Sequence, residues 1–141
     1  MARLTLTVPF SGLPQKIIVP ITVRQAFAVC DFYMVKQVTL AARAFWDTGS
    51  NVTCITHTLA KQLQLIKASD GSLGSIDARS DVPLFDVDLL LAEGFVVPSV
   101  PIAGITDQSK FDILIGMNVI NRGNFHWDRN GSDSVLTFTV G

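Results

Sequence analysis

The sharpest chemical feature of the chain is the run Phe45-Trp46-Asp47-Thr48-Gly49-Ser50. An apolar segment leads straight into a carboxylate, a hydroxyl and a glycine. An aspartate in that position sits at a strand end backed by two aromatic rings, and Gly49 lets another backbone approach closely. Such a carboxylate is a candidate for proton transfer. The same residues would also serve a strand that simply ends in a polar turn, because three-residue motifs recur by chance.

A second run changes the balance. About 65 residues further on comes Phe111-Asp112-Ile113-Leu114-Ile115-Gly116-Met117-Asn118, followed by Val119 and Ile120. With both motifs present, the sequence resembles the retropepsins, the dimeric aspartic proteases of retroviruses and their bacterial and eukaryotic relatives. In that family an apolar-apolar-Asp-Thr-Gly strand is crossed by a strand ending apolar-apolar-Gly, and a short helix follows. The likeness covers roughly residues 40–140 in order and spacing, and residues 1–20 fall outside it. It implies that Leu114, Ile115 and Gly116 thread behind the Asp47 loop. It also implies that Asp70-Gly71-Ser72-Leu73-Gly74-Ser75 forms the flap, with Gly71, Ser72, Leu73 and Gly74 closing over substrate. Two departures stand out: Met117 and Asn118 replace a charged residue near the second glycine, and Asn124 stands where bacterial relatives often carry aspartate.

The resemblance implies an aspartic endopeptidase with a shared active site. Its chemistry needs two carboxylates facing one water, one ionised to take a proton and one protonated to polarise the scissile carbonyl. Two like charges so close cannot both ionise readily, so the pair shares a proton and titrates as a unit. This chain carries one Asp-Thr-Gly, and it is too short for two lobes. A symmetric homodimer that sets Asp47 beside its own copy is the economical arrangement. By resemblance, Asp47, Thr48 and Gly49 form the catalytic loop: Thr48 bonds across the interface, Gly49 brings backbone near substrate, and Ser50 bonds the outer carboxylate oxygen. The substrate implied is an extended polypeptide held by main-chain bonds. Leu73 and Ile105 suggest apolar side chains at the cut. No cofactor or metal is implied.

The elements that must position this site read as an all-β protein, a closed retropepsin-like barrel with one or two short helices. Leu4, Leu6 and Val8 alternate with Thr5 and Thr7, and Phe85, Val87 and Leu89 alternate with Asp86 and Asp88, the period of two of half-buried strands. On that pattern Asp86 and Asp88 form a wet strand face. Residues 16–23, 26–35 and 38–46 are strand-like in their Ile, Val, Phe and Tyr content. Ala92-Glu93-Gly94 predicts a hairpin turn, and Pro98 and Pro101 place 98–102 at an edge or crossing. Residues 111–115 predict a strand buried on both faces, and Asn130-Gly131 the turn of a terminal hairpin. Thr56 is a candidate N-cap for a helix over 57–65, with Leu59 and Leu63 on one face. A second short helix is expected after Gly116, with Gly123 as its terminating glycine.

Composition bounds the rest. The 141 residues make a single domain, 1–141. A hydrophobic content of 48% is rich for a small monomer and leaves apolar surface for a partner. A net charge of −1 gives no case for nucleic acid or for a polybasic membrane contact, and no apolar run reaches membrane-spanning length. Two cysteines, Cys30 and Cys54, suit a reducing compartment, so a cytoplasmic location is expected. Cys54 reads as a buried structural thiol, Asp112 as a solvated turn residue, and His57 and His126 as lone histidines without a third metal ligand. Two rivals remain. The fold could serve as a dimeric binding or scaffolding module without turnover. An Asp-x-Gly-Ser turn also occurs in actin-like ATPases, which need a longer α/β chain.

Overall fold

The computed structural model describes residues 3–75 and 78–141, with side chains for 3–68 and 82–141. The chain runs β1 (Leu4–Phe10), β2 (Ile17–Gln25), α1 (Phe27–Tyr33), β3 (Thr39–Trp46), β4 (Thr53–Thr56) and α2 (His57–Gln62). It continues through β5 (Ser69–Ser75), β6 (Ala78–Ala92), β7 (Phe95–Ile105), β8 (Ile113–Ile115), α3 (Met117–Ile120), β9 (Asn124–Asn130) and β10 (Asp133–Val140). The all-β reading holds.

Six strands close on themselves in the order β2-β3-β8-β4-β7-β6, because β6 also pairs with β2. β5 extends this barrel as an antiparallel partner of β6, in register from Ser69↔Leu84 to Ser75↔Ala78. Inside it Val23, Ala44, Ile55, Val87, Leu89, Val100, Ile113 and Ile115 are essentially inaccessible. Closure removes the free edges that an open sheet would expose. A separate antiparallel sheet, β1-β10-β9, lays Leu6, Leu136, Phe138 and Phe125 against the barrel. Trp46 joins the two layers, with its ring 5.8 Å from Phe125 and 5.1 Å from Phe138.

Local signals explain much of this. The Thr56 side chain accepts a bond from the Leu59 amide, and Leu59 and Leu63 are buried. Gly94 and Gly131 turn the two hairpins at φ 74° and 67°, in the region glycine enters without strain.

Several expectations are corrected. Residues 27–33, read as strand, form α1, which buries Cys30 and leaves Phe27, Phe32 and Tyr33 exposed. The apolar content there is real, but it does not alternate with polar residues, and content without a period does not distinguish strand from helix. Asp88 lies not on a wet face but 3% exposed, because it falls at an irregularity in the β6–β7 register where the start of α1 and Ser99 close on its carboxylate. It pairs with Arg24 at 3.2 Å and accepts the amides of Phe27 and Ser99. Pro98 falls at an irregularity in the β6–β7 register, and Pro101 precedes the stretch where β4 also pairs with β7, so the two prolines break no ladder. Gly123 is not a left-handed cap. A Cβ there would lie 2.3 Å from the Thr139 carbonyl oxygen, so close packing of β10 explains the glycine.

Candidate active site

Asp47 leaves the end of β3, which runs parallel to β8 with Ala44↔Ile113, Phe45↔Leu114 and Trp46↔Ile115 in register. Trp46, 3% exposed and packed between the two sheets, fixes the direction in which the chain exits. Its indole N–H has no hydrogen-bond partner among the described residues. The Asp47 amide then donates to Ile115 O at 2.9 Å, extending the ladder by one bond.

The loop turns on its own carboxylate. Asp47 Oδ1 accepts the Gly49 amide at 2.8 Å, and the Asp47 carbonyl accepts the Ser50 amide at 3.3 Å. A side chain at position 49 would put its Cβ 3.2 Å from Oδ1. Ser50 turns its hydroxyl to Val52 O at 2.8 Å, so the bond to the outer Asp47 oxygen implied by resemblance is not made in the single chain.

The second motif threads behind this loop. The Met117 amide donates to Ser50 O at 2.7 Å, and a Cβ on Gly116 would stand 2.2 Å from Val52 O. Only a glycine lets the two backbones lie so close. Beneath them Thr53, fully buried, accepts the Gly116 amide at 3.1 Å and donates to Asn118 Oδ1 at 2.6 Å. Asn118 Nδ2 in turn donates to Pro101 O at 3.1 Å, tying the loop to β7. The sequence reading assigned Thr53 no role. Its signal is a hydroxyl inside a short, wholly buried strand, where a polar group must find partners. Asn118 stood out only as a departure from the family pattern.

The other singled-out residues lie apart from this loop. Asp112 is not a solvated turn residue: it accepts the Arg43 amide at 2.8 Å and is gripped by that guanidinium at 3.1 and 3.2 Å. This pairing holds the Asp112 carboxyl below its ordinary range. Cys54 is buried in β4, and desolvation pushes its thiol up to about 11, which keeps it protonated and unreactive. His126 lies on β9 and, with Thr48, Met117, Ile120 and Phe125, lines a shallow groove of about 430 Å³ beside the loop. Gly71, Ser72, Leu73 and Gly74 fall in β5, opposite β6, and their side chains lie outside the described residues, as do residues 76–77. Ile105 ends β7 half-buried.

The loop therefore presents half-buried Asp47 just before exposed Thr48 and Gly49, and among the described residues no acidic side chain is joined to its carboxylate by a hydrogen bond. A sequence model described as aspartyl protease matches residues 33–119, a span holding both motifs. The chain belongs to the aspartyl protease family. Its fold is retropepsin-like. It is similar to a retropepsin-like aspartic protease from Rickettsia conorii with a TM-score of 0.60 at 10% identity, over 99% of this chain and 96% of that one. It is also similar to the retroviral protease-like domain of Ddi1 from Leishmania major, with a TM-score of 0.52 at 18% identity over 81% and 82% of the two chains. At such identities the likeness concerns fold alone. A comparison with curated protein sequences gives no match. Among the described residues no helix is long and apolar enough to cross a membrane.

Proposed function

We propose that the protein is an aspartic endopeptidase whose active site forms between two copies of the chain, each contributing Asp47. The observation that carries this reading is the Asp47 loop: a clamped backbone holding a carboxylate at an open surface. The clamp of Gly116, Thr53 and Asn118 fixes position, which is what a proton-transfer group needs. A loop that only ended a strand would not require it.

In the dimer the two Asp47 carboxylates share one proton. The ionised one removes a proton from a water bound between them, and the water oxygen attacks the scissile carbonyl carbon. The protonated one donates to the carbonyl oxygen, giving a neutral tetrahedral diol. Collapse of the diol breaks the C–N bond as the leaving nitrogen takes a proton from the protonated carboxyl, and a diol hydroxyl returns its proton to the ionised one, so the pair again holds one proton and the products are a carboxylic acid and an amine. No covalent enzyme intermediate forms. Substrate is an extended polypeptide lying between the loop and the β5–β6 hairpin, where β5 ends the sheet and, among the described residues, pairs with no strand on its outer edge.

Subunit mixing tests the shared site. Wild type and Asp47→Ala are mixed at fixed total concentration and allowed to exchange. If each site needs both aspartates, activity follows the square of the wild-type fraction, and an equal mixture keeps about a quarter. A linear curve, with exchange confirmed, overturns the reading.

A further inference from the structure

Lys16 lies one residue before Ile17, which is paired with Trp46 in the β2–β3 register, so it enters β2 level with Asp47. Side chains alternate between the two faces of a sheet. Val19 of β2, Ala44 and Trp46 of β3, and Ile115 of β8 are buried on the inner face. Lys16, Ile18, Phe45 and Asp47 share the other face by that alternation. The side chain of Lys16 is exposed, and its ammonium stands 5.3 Å over the ring of Phe45, within the range of a cation–π contact. Phe45 in turn packs on the buried ring of Phe111 at 5.4 Å. The two rings hold the lysine and leave its charge in the open. Among the described residues Lys16 joins no ion pair, whereas Arg43, two residues before Phe45 on the same face, is neutralised by Asp112 at 3.1 Å.

We infer that Lys16 sets substrate preference by recognising an acidic side chain, aspartate or glutamate, near the cut, which makes the substrate class an extended acidic peptide. The inference rests on the protease reading proposed above. Phe45 and Phe111 offer an apolar wall that accepts side chains of many kinds. One unpaired ammonium at the rim of that wall adds a demand for charge. Phe45 is two residues from Asp47, and three residues of extended substrate span about 10 Å, so the acidic side chain falls within about three residues of the cut. A two-fold dimer sets a second Lys16 on the other side, so acidic residues are read on both sides of the scissile bond.

Peptide cleavage tests this. Cut sites in casein, an unfolded protein, are mapped by mass spectrometry. Peptides spanning the site cut fastest are then made with Glu, Gln or Lys at each position up to three residues from the cut. For the wild type, kcat/KM is expected to be about fivefold higher with Glu than with Gln at a responsive position on each side, the upper range of an exposed ion pair, and lowest with Lys. Lys16→Met keeps a stem over Phe45 without the charge, and the Glu-to-Gln ratio is expected to fall to about one. Lys16→Glu is expected to invert the order, with the Lys peptide cut faster than the Glu peptide. Lys36→Met removes a charge beyond the far end of β3, about 25 Å from Asp47 at the usual rise, and is expected to keep the wild-type ratio.

A wild type that cuts the Glu, Gln and Lys peptides alike overturns this assignment and leaves the protease reading standing. A ratio that survives Lys16→Met, or one that Lys36→Met lowers as much, does the same, because the preference then lies elsewhere or in net charge. A wild type that cuts neither casein nor any peptide, at concentrations where it sediments as a dimer, overturns the protease reading and the preference together.

Discussion

Asp47 and Asp112 stand at opposite ends of the same parallel strand pair, β3 and β8, separated by about 13 Å at the usual rise per residue. Asp112 is saturated: the Arg43 amide and guanidinium take both its oxygens, and its carboxyl is held low. The Asp47 carboxylate accepts only the amide of Gly49, among the described residues, and keeps its other oxygen free of such bonds. The backbone is held at both: the Asp112 amide donates to Arg43 O at 2.9 Å and its carbonyl accepts the Thr56 amide at 3.0 Å. At Asp112 the side chain is restrained. At Asp47 the side chain is left open, and the main chain behind it is clamped by Gly116, Thr53 and Asn118. The contrast sets a carboxylate saturated by its partners against one left open in a place where everything next to it is held.

The strongest way to break that contrast is at Asp47 itself. Asp47→Asn keeps an oxygen to accept the Gly49 amide, so the loop stays folded and stability changes by no more than about 0.5 kcal/mol. Proteolysis falls by at least about three orders of magnitude, because the group that takes the proton is gone. Cleavage of an unfolded protein and a thermal melt report the two effects separately. Activity near the wild-type level would move the site elsewhere.

Next in size is the clamp. Gly116→Ala forces a methyl to within 2.2 Å of the Val52 carbonyl oxygen, where no flexible side chain can yield. The expected cost is about 3 kcal/mol or more, at the top of the overpacking range, with a lower melting temperature and lost activity. A melt within 2 °C of wild type, at about 1 kcal/mol per several degrees, would show that the two backbones are not pressed together. Thr53→Val is gentler in shape and removes only the hydroxyl. It strands the buried Gly116 amide and the Asn118 carbonyl oxygen, at about 1–3 kcal/mol. Here kcat is expected to fall while the shape of the pH–rate profile stays the same, since Thr53 positions the loop without exchanging protons with substrate. Thr53→Ser restores both bonds and most of the rate.

Much of the frame was legible in the sequence because it rests on local rules. The alternation of Leu4, Leu6 and Val8, the turns at Gly94 and Gly131, and the Thr56 cap are all written within a few residues. The Asp47 loop and the crossing strand were legible because each is a compact motif. What escaped depends on partners distant in sequence. Asp88 looks solvent-facing until Arg24, the start of α1 and Ser99 close on its carboxylate. Thr53 gains its role from residues 63 and 65 positions away. Residues 27–33 were misread because their apolar content has no strand period, and the αL conformation of Met34 that ends α1 carries no glycine to announce it.

The smallest expected effect is at the saturated end, and it depends on pH. The Arg43 guanidinium lowers the Asp112 pKa in the folded state below the unfolded value of about 3.9. The folded protein therefore binds fewer protons at this position than the unfolded chain does, and the pairing stabilises the fold at pH values above about 4. That contribution is lost as pH falls through the folded pKa, where the carboxylate is protonated in both states. Asp112→Asn keeps acceptors for the Arg43 amide but removes the charge. Its melting temperature should lie slightly below wild type at neutral pH, since a partly exposed ion pair contributes little. The gap should narrow as pH falls below about 4 and close once Asp112 is protonated. Proteolysis should stay within about twofold of wild type, in the range of a change remote from the reacting atoms. A fall in rate with an unchanged melt would give Asp112 a share in the chemistry. The difference between the two ends of the strand pair would then be one of degree.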